Sequence, residues 1–277
     1  AALLLKKTPS LISLIEIATP TMPWGRTDKL ELPFKDIRVR QALNLAVDKQ
    51  SIIDNYYKGH AVMLGVPWPP TPTYSTIYTP MDQQPAAVQE LFSYNPEKAK
   101  KLLAEAGYPN GFKTQIVLGA NSVDFVSMIA DYFSKIGVDM KLTVLDPVTL
   151  ANVNNARSFP EMIFRDITSY GNPSNLNFVR GVFNPSYLEP TWGLETYNKI
   201  QAIVGKDDAQ VARLLKPTGP LLLESATGVW LPAPYTYNLG WPWLLNYHGE
   251  RLVGYGSQRY LPKYISVDAA LKKSMGY

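Results

Sequence analysis

Between residues 112 and 167 the sequence switches back and forth between two hydrophobic periods, and that switching leaves few folds open. "FKTQIVLGA" carries a strand pattern over 114–119. Phe125, Met128, Ile129, Tyr132, Phe133 and Ile136 then recur at spacings of three and four, one face of a helix that Gly137 ends. In "VDMKLTVL" the apolar residues Val138, Met140, Leu142 and Val144 alternate, so the period returns to two. A further helix over about 147–157 leads into "EMIFRDIT", a third strand. Strands separated by helices need crossover connections and pair largely in parallel, so the expected architecture is an α/β lobe with a mixed sheet.

Local signals organise the rest. In "SYNPEKAKKLLAEAGYPNGF", Asn95 can accept a first-turn amide and Pro96 loses nothing at the first helical position. Ala99, Leu102, Leu103 and Ala106 make the apolar stripe, and Gly107 supplies the left-handed stop. This is a packing helix with no nucleophile, metal ligand or phosphate loop. Asp36 can cap a helix whose Val39, Leu43, Ala46 and Val47 face inward, and Ser51 with Asp54 reads as a second capped start. Residues 60–92 form a long Pro- and Tyr-rich loop of the kind that often binds. Beyond 170 the chain is loop-rich. Helical patterns return at 193–204 and 207–216, and Pro217 and Gly219-Pro220 interrupt the second. "GVWLPAPYTYNLGWPWLLNY" reads as extended, and "SVDAALKKSMGY" as a short capped helix.

Composition excludes several functions. The net charge of +4 is scattered over helix faces, without the basic stripe that nucleic acid needs. There is no cysteine, hence no disulfide framework and no thiolate chemistry. No apolar run is long enough to span a bilayer. The opening "AALLLKKTPSLISLIEI" has its lysines after a short apolar run, unlike a signal peptide, and reads as a helix entering a strand, so the sequence is expected to begin mid-fold. His60 and His248 are far apart and lack partners at ligand spacing. "GYGSQR" lacks the third glycine of a dinucleotide fingerprint, and no P-loop or G-x-S-x-G elbow is present. Asp146, Glu161 and Asp166 remain as acids that a hydrolytic site would need. Cleft-forming elements without a reactive set favour binding over catalysis, with no cofactor and no metal.

Two motifs carry a family likeness. "PFKDIRVRQALNLAVDKQSII" at 33–53 and "YNPEKAKKLLAEAGYPNGF" at 94–112 resemble the family 5 extracellular solute-binding proteins, and "VDAALKKSMGY" resembles that family's closing helix. The group includes the oligopeptide-, dipeptide- and nickel-binding components of ABC importers. The resemblance implies a periplasmic-binding-protein fold of class II, hinged between two lobes. It also implies a small-molecule solute (a peptide, a sugar or another polar solute), ABC permease subunits as partners, export by a signal, and a periplasmic or membrane-anchored location, possible as a lipoprotein. Residues 1–33 correspond to the end of lobe 1 and a hinge, 34–235 to lobe 2, and 236–277 to the hinge return and a C-terminal piece of lobe 1. The larger part of lobe 1 then lies upstream, and the crossings fall near 22–34 and 232–248.

Peptide-binding members hold the ligand's amine with an acid in a segment like Asp-Tyr-x-x-Pro. Here that segment is Thr168-Ser169-Tyr170-Gly171-Asn172-Pro173, and Ser169 or Asn172 takes the acid's place. A neutral group forms a bond to an ammonium about half as strong as a carboxylate does, which disfavours a peptide. The ligand-binding residues implied are Trp24, Ser169, Tyr170, Asn172 and Trp192, and Trp68 and Trp243 are further rings that could stack on a sugar or a flat group. The alternatives are a carboxylate-dependent hydrolase on Asp146 or Asp166, and a sensor or binding module without transport on the same fold.

Overall fold

The computed structural model describes residues 2–18, 20–166, 174, 176–181, 184–247 and 265–277. Along the chain come α1 (Ala2–Lys7), β1 (Ile12–Ile17), β2 (Thr21–Gly25), α2 (Ile37–Leu45), α3 (Lys49–Ser51) and the two-residue strand β3 (Ala61–Val62). Next are α4 (Ala86–Leu91), α5 (Pro96–Glu105), β4 (Phe112–Gly119), α6 (Val123–Ser134), β5 (Val138–Leu145), α7 (Pro147–Asn155) and β6 (Met162–Asp166). The remainder is α8 (Thr191–Gln201), α9 (Asp208–Leu215), α10 (Thr218–Glu224), β7 (Ala233–Gly240), β8 (Leu244–Leu245), β9 (Ser266–Val267) and α11 (Ala269–Ser274). Thr19–Ala233 form one compact unit, and the two chain ends, Ala1–Ala18 with Pro234–Tyr277, form another.

The larger unit is built on a four-stranded sheet in the order β2-β6-β4-β5. β4 pairs in parallel with β5 from Phe112↔Val138 to Gly119↔Leu145, and with β6 at Ile116↔Met162 and Val117↔Ile163. The strand–helix–strand–helix–strand order read from the sequence is therefore the parallel core of the lobe. β2 closes the far edge antiparallel to β6, from Thr21↔Asp166 to Gly25↔Met162. β1 and β2 are separate strands. Pro20 lies between β1 and β2, which fall in different units.

The turns entering β4 and β5 touch at two glycines. Gly111 has φ of +73°, and a Cβ placed there would lie 1.9 Å from the carbonyl oxygen of Gly137. Only glycine tolerates both the angle and the approach. Upstream of these turns, Asn95 caps α5 by accepting from the Lys98 N–H at 3.0 Å. At the other end, Gly107 at φ +95° lets the Tyr108 N–H reach the Leu103 carbonyl at 2.8 Å, a Schellman closure. Ala99 and Leu103 are buried, with Leu102 and Ala106 packed beside them.

α2 is capped by Asp36, which accepts from the Arg38 N–H at 2.8 Å. It buries Val39, Ala42 and Leu43. It also buries Asn44, whose Nδ2 donates to the carbonyls of Arg40 at 3.0 Å and Gly228 at 2.9 Å while Oδ1 accepts from the Trp230 N–H at 2.8 Å. That one side chain ties α2 to the 228–230 segment. Two cations are buried beside it. Arg40 donates to the carbonyls of Phe34, Lys35 and Ser225, and burial pulls its guanidinium down to about 10. Lys49 donates to the Asn44 carbonyl at 2.5 Å and the Val47 carbonyl at 3.4 Å, and burial pulls its ammonium down to about 7.

Two helix boundaries differ from expectation. Asp48, not Ser51, caps the second start, accepting from the Ser51 N–H at 2.8 Å, and the chain continues into a π-turn over Ile52–Tyr56. Pro217 does end α9, yet a third helix, α10, begins at Thr218, with Pro220 in its first turn where a missing N–H costs little.

The smaller unit pairs β1 with β7 antiparallel, from Ile12↔Gly240 to Ile17↔Tyr235, and β8 with β9. Asp268 caps α11 through the Leu271 N–H at 2.9 Å. Trp241 and Trp243 stack with centroids 4.5 Å apart, and Tyr277 packs against both.

Candidate functional site

In an open parallel sheet, ligands meet the carboxyl ends of the strands where successive connections diverge. β5 lies on one side of β4 and β6 on the other, so right-handed crossovers place α6 and α7 on opposite faces. The turns leaving β4 and β5 separate at Gly119 and Leu145, and β6 ends beside them at Asp166.

Each side of this edge has its own chemistry. On the α7 side, Asp146 accepts from the N–H groups of Val148 at 3.0 Å and Thr149 at 3.1 Å. Bonding from Thr149, side chain first and backbone second, holds its carboxyl below the usual range. Val148 stands 70% exposed, and Leu150 lies against Gly119, 3.3 Å from where a Cβ would be. On the α6 side no side chain caps the helix, and its first turn carries Phe125. Phe125 gathers an aromatic wall: the centroid of Tyr56 is 5.0 Å from it, Tyr57 6.0 Å and Phe164 6.0 Å. Burial and the adjacent Tyr56 push the Tyr57 hydroxyl up to about 12, so it stays a neutral donor. Tyr56 is 49% exposed and presents the open side of the wall.

Asp166 is exposed at the end of β6. Arg165 beside it donates from Nε to the Asp166 carbonyl at 3.3 Å, and burial lowers its guanidinium. The edge can therefore stack a flat or apolar group on the half-exposed Tyr56, which Phe125 and Phe164 back from the core, while offering helix amides and a carboxylate. Among the described residues no group of three His, Asp or Glu side chains is placed to hold a metal.

The residues expected to bind ligand fare differently. Ser169, Tyr170 and Asn172 lie outside the described residues. Trp24 is fully buried in β2, its indole N–H donates to the Arg165 carbonyl at 3.2 Å, and its ring meets Trp230 edge-on at 5.7 Å. It sits in the core and offers a solute no surface in this structure, because β2 is covered by the 228–230 segment that hydrogen-bonds to it. Trp192 is half-buried in the first turns of α8, packed on the core. Trp68 is buried between Tyr74 and Phe178, and Trp243 belongs to the smaller unit. Of the acids, Asp146 is a helix cap. Glu161 accepts from the Thr114 hydroxyl and from the backbone and side chain of Gln115. His60 is exposed and His248 lies outside the described residues. Sequence reading did not single out Tyr56 and Tyr57. The adjacent pair was the available signal, but the π-turn that aims them at Phe125 has no pattern of its own.

Comparison with known proteins agrees with this architecture. The model of the bacterial extracellular solute-binding proteins, family 5 middle region, matches residues 17–182. The heme-binding protein A of Haemophilus influenzae is 38% identical over 139 residues, 48% of this chain and 24% of that protein. The glutathione-binding protein GsiB of Pectobacterium atrosepticum is 26% identical over 231 residues, 80% of this chain and 42% of that one. Among solved structures, HbpA2 from Haemophilus parasuis superposes with a TM-score of 0.71 at 23% identity, over 96% of this chain and 52% of its own. The oligopeptide-binding protein AppA from Bacillus subtilis, in complex with a nonapeptide, gives 0.68 at 20%, over 89% and 51%. The chain thus spans about half the length of these structures and less of the curated relatives.

Proposed function

Because this chain belongs to the bacterial extracellular solute-binding proteins of family 5, we propose that it is the C-terminal part of the substrate-capturing component of an ABC importer. It works outside the cytoplasmic membrane, holds a small solute against a lobe encoded upstream, and passes it to the permease subunits. The family match over residues 17–182, which runs from β1 to beyond β6, carries this reading. Among the described residues no helix is long and apolar enough to cross a membrane.

The carboxyl edge of the sheet is the surface we assign to the solute on this lobe. Its chemistry favours a ligand with a flat or apolar part for Tyr56 and a donor for Asp166. Ser169 and Asn172 in place of the amine-anchoring acid argue against a peptide held by its free amine. An amine, where one is present, has the exposed Asp166 carboxylate within the same stretch of chain. Heme and glutathione, bound by the relatives named for them, are the first solutes to test.

Native mass spectrometry of the full-length protein, purified without added ligand and then titrated with heme, glutathione and a nonapeptide, tests the reading. A one-to-one complex released unchanged in mass is expected. Retention of none of these, or conversion of a bound solute to a product, would overturn it.

A further inference from the structure

A second concave site shares no residue with that edge. It lies where α8 meets the backbone at Val179–Gly181 and Glu189–Pro190, and its cavity measures about 510 Å³. That is the size of a small-molecule site. Thr191, Leu194, Glu195 and Asn198 line it from α8, at the spacing of a single helix face. Arg180 lines it from the opposite segment.

Arg180 is held in place and has no counter-ion among the described residues. Its guanidinium carbon lies 3.5 Å from the centre of the Tyr197 ring, a stacked cation–π contact. Its Nε is buried and makes no hydrogen bond, and no ion pair among the described residues includes it. The guanidinium charge is thus uncompensated among the described residues, so a partner of opposite charge gains from meeting it. The same cavity carries two carboxylates. Glu189, exposed, accepts the Gly181 N–H at 3.0 Å on one of its oxygens. Glu195 projects from an exposed position on α8.

A simple anion entering this cavity meets two glutamates, and a simple cation leaves Arg180 unmatched. A molecule with both charges satisfies each group. We propose that this cavity binds a small zwitterion, with a carboxylate on the Arg180 guanidinium and an ammonium on Glu195 and Glu189. Asn198 and Thr191 add neutral hydrogen-bonding groups. Val179 and Leu194, the latter 56% exposed, give an apolar floor for a side group.

The test uses glycylglycine as the probe, titrated calorimetrically into the full chain, with acetate and methylammonium as single-charge controls. Glycylglycine is expected to bind saturably at one site, about tenfold or more tighter than either control. Arg180→Gln and Glu195→Gln are each expected to weaken it about tenfold or more, while Asp166→Asn leaves it unchanged. The last variant separates this site from the proposed solute edge. Glu195 is exposed, so its variant keeps the test decisive if Arg180→Gln does not fold. Absence of saturable binding, equal binding of acetate, or binding that survives Glu195→Gln overturns the proposal.

Discussion

Lys49 makes the stability of this lobe depend on pH in a direction fixed by its burial. Its ammonium is fully enclosed, beside the carbonyls of Asn44 and Val47 and 5.7 Å from the centre of the Phe92 ring. Desolvation lowers it from 10.5 to about 7, against the opposing pull of Asp48. Because the unfolded chain keeps its proton up to the ordinary lysine value, unfolding takes up a proton anywhere between those limits. Stability therefore rises as pH climbs through that window and carries the full burden below it. At about 1.4 kcal/mol per tenfold, the whole gap amounts to about 5 kcal/mol, and the part between about pH 7 and about pH 9.5 to roughly 3 kcal/mol. Lys49→Met keeps the apolar stem and removes the titrating group, at the cost of the two hydrogen bonds to the Asn44 and Val47 carbonyls, about 1–3 kcal/mol each. Urea unfolding of parent and variant at about pH 6 and about pH 9.5 reads the difference. The parent is expected to gain roughly 3 kcal/mol on the variant between the two conditions, while tyrosines and other groups common to both cancel. An unchanged gap would mean that the ammonium is not desolvated as the packing indicates, and the reasoning would fail.

Other perturbations test the packing that positions the sheet edge. Asn44→Leu strands the Gly228 carbonyl and the Trp230 N–H in the core, and urea unfolding is expected to show a loss of about 2–4 kcal/mol. Gly111→Ala forces a Cβ onto the Gly137 carbonyl at positive φ; a loss of about 2 kcal/mol or more is expected by the same assay, and a neutral result would refute the close approach. Tyr56→Ala removes a half-exposed ring and is expected to weaken solute binding in the full-length protein about tenfold with little change in melting temperature.

Much of the lobe was legible because its signals are local. The alternation of periods over 112–167 marks β4, α6, β5, α7 and β6, and the caps at Asp36 and Asn95 act through amides two or three residues away. What was not legible depends on partners distant in sequence. Trp24, expected to stack on a ligand, is buried because β2 pairs with β6 and receives the 228–230 segment. Ser51 with Asp54 matches the capping pattern, yet Asp48 caps this start and the chain runs on from Ser51 into a π-turn, which has no pattern of its own. The aromatic wall needs Tyr56, Phe125 and Phe164 brought together from three elements, and no spacing encodes that.

The central claim is that a solute is gripped at the carboxyl edge of this sheet. Hydrogen exchange on the full-length protein, with its co-purified solute bound and after its removal, tests this directly. Bound solute is expected to protect amides at 119–125, 145–149 and 165–166 while leaving the opposite edge, at 110–112 and 136–138, unchanged. Equal exchange at the carboxyl edge in both states, or protection confined to the opposite edge, would contradict the account.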